Sequence, residues 1–140
     1  MSIEQLIERI EAADGPDRGI DVAIFKMLHP EYASDDWRLY GSGLRHVYDS
    51  SDARCTPPPE ACPPYYTASI DAAMKLAPEG SHCGMGYDSP PTGETVGKAW
   101  AWVRCKVNGV WEETDIDWRG HRPPSMAPAL CAAALKARLA

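Results

Sequence analysis

The chain predicts an α+β domain: an α-β-α sandwich in which a mixed or antiparallel sheet of about four to five strands carries helices on both faces. Three observations lead there. Apolar residues recur at helical spacing in four segments, two near the amino end, one near the middle and one at the carboxyl end. Two pairs of aromatic and β-branched runs, 36–40 with 44–49 and 98–107 with 110–118, are each joined by a short glycine-containing link. Four apolar helical faces are more than one side of so small a sheet can bury, so the helices are expected on both sides.

The first helix should begin at Ser2. Ser2 followed by Gln5 fits a capping box, and Ile3, Leu6, Ile7 and Ile10 share one face. Gly15 and Pro16 stop this helix near Asp14. Asp17 then caps a second, whose stripe is Ile20, Ile24, Met27 and Leu28 and whose end is His29 and Pro30. So short a link makes the two an αα-hairpin. The runs 36–40 and 44–49, with Gly41, Ser42 and Gly43 between them, read as a β-hairpin.

Residues 50–66 form a proline-rich loop, with Pro57, Pro58, Pro59, Pro63 and Pro64 removing backbone donors. Thr67 is expected to cap a third helix with Ile70, Ala73, Met74 and Ala77 inward, stopped by Pro78 and Gly80. A short strand is expected around residues 85–88. The strongest β signal is KAWAWVRCKV, Asn108-Gly109 and VWEETDIDW, because Asn-Gly accepts the positive φ angles of a two-residue type I′ turn. Ser125 should cap a last helix with Pro128 in its first turn and Leu130, Ala134, Leu135 and Leu139 inward.

At 140 residues the chain fits a single domain spanning 1–140. Its formal net charge of −6 leaves no broad positive field for nucleic acid, so no direct nucleic-acid binding is expected. No apolar run approaches the roughly 20 residues of a membrane span, and the acidic, amphipathic start is unlike a signal peptide. A cytoplasmic protein, with no membrane partner, is the expectation. Cys55, Cys62, Cys83, Cys105 and Cys131 lie far apart and would stay reduced there. Their spacing, and that of His82 beside Cys83, is poor for zinc, so neither metal nor cofactor is expected.

In order along the chain, LIERIEAADGPDRGIDVAI, PPYYTASIDAAMKLAPEG, the strand KAWAWVRCKV and the terminal ALCAAALKARLA resemble the phage ABA sandwich domain family, small proteins of tailed phages and prophages. The resemblance spans roughly the first 28 residues and 63 to the end, and leaves 31–62 as an insert. It implies the α-β-α layering and a phage origin. Its motifs are structural, so it implies no catalytic residues.

The residues offer two binding features, each beside a plainer reading. First-turn amides of the third helix, with the hydroxyls of Thr67 and Ser69, can hold a phosphate or carboxylate, and Tyr65 and Tyr66 can stack on a base. The plainer reading is an ordinary cap with a hydrophobic lead-in. Trp100 and Trp102 share a strand face and can form a stacking platform, or can be core beneath a covering helix. The expected ligand site joins Tyr65, Tyr66, Thr67 and Ser69 to Trp100 and Trp102, completed by the proline loop or a second subunit.

The four histidines precede no recognisable nucleophile. Glu112, Glu113, Asp115 and Asp117 fit a solvated strand face as well as acid-base work, and Gly84 and Gly86 lack the context of a phosphate loop. Arg18, Arg38, Arg45, Lys98, Arg104, Arg119 and Arg122 form no run, and only folding can bring them together. The leading expectation is therefore a non-enzymatic phage counter-defence protein that sequesters a nucleotide-derived immune signal, as a homodimer or higher homo-oligomer. The alternative is a protein-binding inhibitor of a host defence enzyme. A catalyst ranks third, for want of a constellation.

Overall fold

The computed structural model describes residues 2–13, 15–47, 59–87, 99–107, 110–117 and 126–139. Helix α1 (Ile3–Ala12) begins with the expected capping box: the Ser2 hydroxyl accepts the Gln5 amide at 3.2 Å, and the Ser2 amide donates to Gln5 Oε1 at 2.9 Å. Helix α2 (Arg18–Leu28) is capped by Asp17, whose carboxylate accepts the Ile20 amide at 3.1 Å. Leu6, Ile7 and Ile10 of α1 and Ile20, Ile24 and Phe25 of α2 are buried, and the two helices pack together.

Strands β1 (Trp37–Tyr40) and β2 (Gly43–His46) form the expected antiparallel hairpin, closed by the two residues Gly41 and Ser42 between the partners Tyr40 and Gly43. Gly41 has φ +63°, a left-handed backbone that glycine adopts without steric cost. Trp37 and Leu39 pack against the core and Leu44 is buried in it, while Arg38 and Tyr40 face outward. Two long side chains of α2 hold the hairpin at its opposite ends. Lys26 Nζ donates to the Trp37 carbonyl at 2.7 Å and the Ser34 carbonyl at 3.1 Å, and Arg18 donates to the Ser42 carbonyl at 3.3 Å.

Strands β3 (His82–Tyr87), β4 (Ala99–Val107) and β5 (Val110–Asp117) make an antiparallel sheet in the order β3-β4-β5. The register ends at Val107 opposite Val110, which leaves a two-residue link; Asn108 and Gly109, and hence the expected turn type, lie outside the described residues. Among the described residues the expected single sheet of four or five strands is corrected to two separate sheets, of two and three strands. The physical reason is that β1 and β2 spend their apolar face on the helical core rather than pairing with the larger sheet.

Helix α4 (Met126–Leu139) lies at the centre. It packs against all three strands of the larger sheet and also against α1 and against α3 (Ile70–Met74). Residues 127–135 are buried without interruption, which is how a helix surrounded by neighbours reads. Leu130, Ala134 and Leu135 are buried as expected, and the alanines let neighbours approach from the other sides too, so burial extends well beyond the expected stripe. Leu139, expected inward, is about half exposed in the last turn. The α+β class holds; among the described residues α4 lies between the larger sheet on one side and α1 and α3 on the other.

Helix α3 corrects a further expectation. It is capped by Ser69, whose hydroxyl accepts the Ala72 amide at 3.3 Å, and not by Thr67. The Ala68 and Ser69 amides both donate to the Tyr65 carbonyl, so a tight turn precedes the helix and aims Thr67 into the core. Met74, expected to be buried, is 46% exposed, and Leu76 is buried in its place. Cap chemistry alone could not separate Thr67 from Ser69, since both can accept a first-turn amide.

Candidate ligand-binding surfaces

The segment 64–69 meets the start of α2 in a buried polar network. Thr67 donates from both its amide and its hydroxyl to Asp21 Oδ1, each at 2.8 Å, and its hydroxyl oxygen accepts the Asp17 amide at 2.9 Å. Asp21 is 1% exposed and its other oxygen faces Arg18 at 3.4 Å. Arg18 also donates to the Pro64 carbonyl at 3.0 Å. A carboxylate taken from water must be paired and hydrogen-bonded, and these contacts do that. The network ties the α2 start, the β1–β2 tip and the 64–69 segment into one rigid corner.

Of the expected site residues at this corner, Thr67 belongs to the network and Ser69 is a cap. Tyr66 is core. It is 4% exposed, and its carbonyl accepts the Cys131 thiol of α4 at 2.8 Å. Burial pushes the Tyr66 phenol above its ordinary range, with Cys131 and Asp21 adding to the rise and Arg138 opposing it. Burial, reinforced by Asp21, pushes the Cys131 thiol up strongly as well, so it stays protonated and unreactive. The amides of Thr67, Ala68, Ser69, Ala72 and Ala73 are occupied within the fold, and α3 is a helix of five residues. Tyr65 differs: it is 54% exposed, and the Arg18 guanidinium lies 3.9 Å from its ring centre.

Trp100 and Trp102 lie elsewhere. Their neighbours Ala101, Val103 and Cys105 are buried in the core that α4 shares, so by strand alternation the tryptophans occupy the opposite face. The larger sheet thus covers α4 with its small residues and turns its indoles outward, half-buried. A covering helix over the tryptophans, the plainer reading of the sequence, is not seen among the described residues.

Gly84 and Gly86 explain how the indoles lie. Trp102 is the register partner of Gly84 and Trp100 of Gly86. A Cβ on Gly84 would stand 2.5 Å from the Trp102 ring, and one on Gly86 would stand 2.7 Å from the Trp100 ring. Only glycine lets the rings settle flat on β3. The Arg104 guanidinium lies 5.3 Å from the Trp102 ring centre, within cation-π range.

The expected composite site is therefore divided within one chain: Tyr65, Tyr66, Thr67 and Ser69 lie on the helical side, and Trp100 and Trp102 on the far face of the sheet. Sequence reasoning missed the pairing of each tryptophan with a glycine of β3. The signal was present as Gly-Met-Gly against Trp-Ala-Trp, two alternating patterns whose registers match. Among the described residues no group of three or more His, Cys, Asp or Glu could hold a metal ion, and no helix is long and apolar enough to cross a membrane. No protein-family model, curated protein or solved structure matches the chain.

Proposed function

We propose that this chain is a binding protein whose working surface is the tryptophan face of the β3-β4-β5 sheet, and that its ligand is a nucleotide-derived small molecule. The observation that carries this reading is the seating of Trp100 and Trp102 on Gly86 and Gly84, with Arg104 beside Trp102. Half-buried indoles held flat by their own sheet are preorganised to stack on a base, a contact worth roughly 1–3 kcal/mol per base.

A sheet face is shallow, and small-molecule sites are concave. Two copies meeting over this face would supply the enclosure, and a second copy could bring Tyr65 towards the indoles. The α-β-α layering implied by the family resemblance belongs to the same proposal, with the ligand and the second copy covering the outer side of the sheet. That resemblance also supports a counter-defence role in a phage-infected cell, with sequestration of a nucleotide immune signal as the action.

A second reading has its own support. Tryptophan and arginine on a flat face are the residue types that dominate protein-protein hot spots, which suits an inhibitor of a host defence enzyme. Calorimetry with a panel of linear and cyclic nucleotides, with native mass spectrometry for stoichiometry, separates the two. Heat of binding with one class, lost in Trp102→Ala with the fold intact, is the expected result. No heat with any nucleotide would sink the first reading.

A further inference from the structure

We propose that the tryptophan face takes two linked bases at once, one on each indole, so that its ligand is a dinucleotide and not a mononucleotide. This rests on the nucleotide reading of that face. The two seats are copies of one another. Trp100 stands opposite Gly86 and Trp102 opposite Gly84, one two-residue repeat along the same pair of strands. A Cβ on either glycine would meet the same indole atoms, Nε1, Cε2 and Cζ2, at 2.5 to 2.7 Å over Gly84 and 2.7 to 3.4 Å over Gly86. The rings therefore share one orientation and recur at the strand spacing, about 6.6–6.8 Å for two residues.

That arrangement is a platform with two places. Each ring rests on its own glycine, so the two lie side by side and make no slot that would grip one base from both sides. An indole and a purine are fused bicyclic rings of like size, so one base stacked on Trp102 leaves Trp100 uncovered. A second base joined to the first covers it, and the linkage makes that contact intramolecular, which raises affinity without a new kind of contact. Strand β4 is paired on both edges, with β3 and with β5, so the two seats are set before binding and little ordering remains to be done.

Charge points the same way. The chain carries a formal net charge of −6, and each negative charge on a ligand works against binding. A phosphomonoester brings about 1.5 to 2 negative charges for its single base, whereas a phosphodiester brings about one for two bases. A long single strand fits less well, because it adds charge with every base beyond the second and finds two seats among the described residues.

The test is a titration of the full, isotope-labelled chain with adenosine, with the linear dinucleoside phosphate ApA and with cyclic di-AMP, followed by the indole Nε1–H resonances that Trp100→Ala and Trp102→Ala assign. With a dinucleotide both resonances should shift along one curve, at an affinity at least about tenfold above that of adenosine. Either linkage upholds the proposal, and the tighter one identifies the backbone. Each tryptophan variant should bring the dinucleotide down to the affinity of adenosine. Gly86→Ala keeps both indoles but lifts Trp100 from its seat, and should lose most of the advantage with an unchanged circular dichroism spectrum. Adenosine binding as tightly as both dinucleotides, a shift confined to one indole, or an undiminished advantage in Gly86→Ala would each overturn this inference and leave the nucleotide reading standing. No shift with any of the three ligands would overturn both.

Discussion

Replacing Thr67 by valine tests whether the buried corner or a helix cap is what this residue supplies. Valine keeps the shape and removes the hydroxyl. Asp21 Oδ1 then loses one of its two Thr67 contacts, and the Asp17 amide loses its acceptor. A hydrogen bond to a charged group contributes about 1.5–3 kcal/mol, and the part-buried Asp17 amide left unpaired adds at most about 1 kcal/mol. The two overlap, since the corner relaxes as a unit, so the expected loss is about 3 kcal/mol. With a urea slope of about 1–3 kcal/mol/M, the unfolding midpoint should fall by between about 1 and 3 M. Thr67→Ser, which keeps the hydroxyl, should recover most of it. Ser69→Ala should cost only about 1 kcal/mol, the ordinary worth of an N-cap. A valine variant within about 0.5 kcal/mol of the parent, or a larger loss at Ser69 than at Thr67, would refute the assignment of the cap and the network.

Two further outcomes follow from the same geometry. Gly84→Ala puts a methyl group 2.5 Å from the Trp102 indole and should displace the ring, costing about 1–3 kcal/mol and shifting tryptophan emission to the red; adding Trp102→Ala should restore most of the lost stability, and additive losses would count against the seating. Stability should fall on the alkaline side, because the folded state holds the Cys131 and Tyr66 protons above the ordinary values of 9.0 and 10.0 at which the unfolded chain releases them. The unfolded state then binds fewer protons, so the slope is negative, at most about 1.4 kcal/mol per pH unit for each group while it is deprotonated unfolded and still protonated folded. Cys131→Ala should flatten the first part of that decline in urea melts between pH 8 and 10.

Local chemistry in the sequence determined the elements whose signals lie within a few residues. The Ser2–Gln5 capping box, the Asp17 cap and the two antiparallel pairings appear where the pattern places them, because each is decided by neighbours in the chain. Tertiary structure decided the rest. Thr67 and Ser69 are equivalent as caps until Asp21, 46 residues away, claims Thr67. The tryptophan strand has two chemically plausible faces until α4 packs on the side of Ala101 and Val103. Arg18, Arg38 and Arg45 form no run in the chain, and only the hairpin register and the Ser42 contact gather them at one surface. Spacing along the chain reports which residues share a face, whereas what covers that face depends on contacts between distant segments, made only when the whole core condenses around α4.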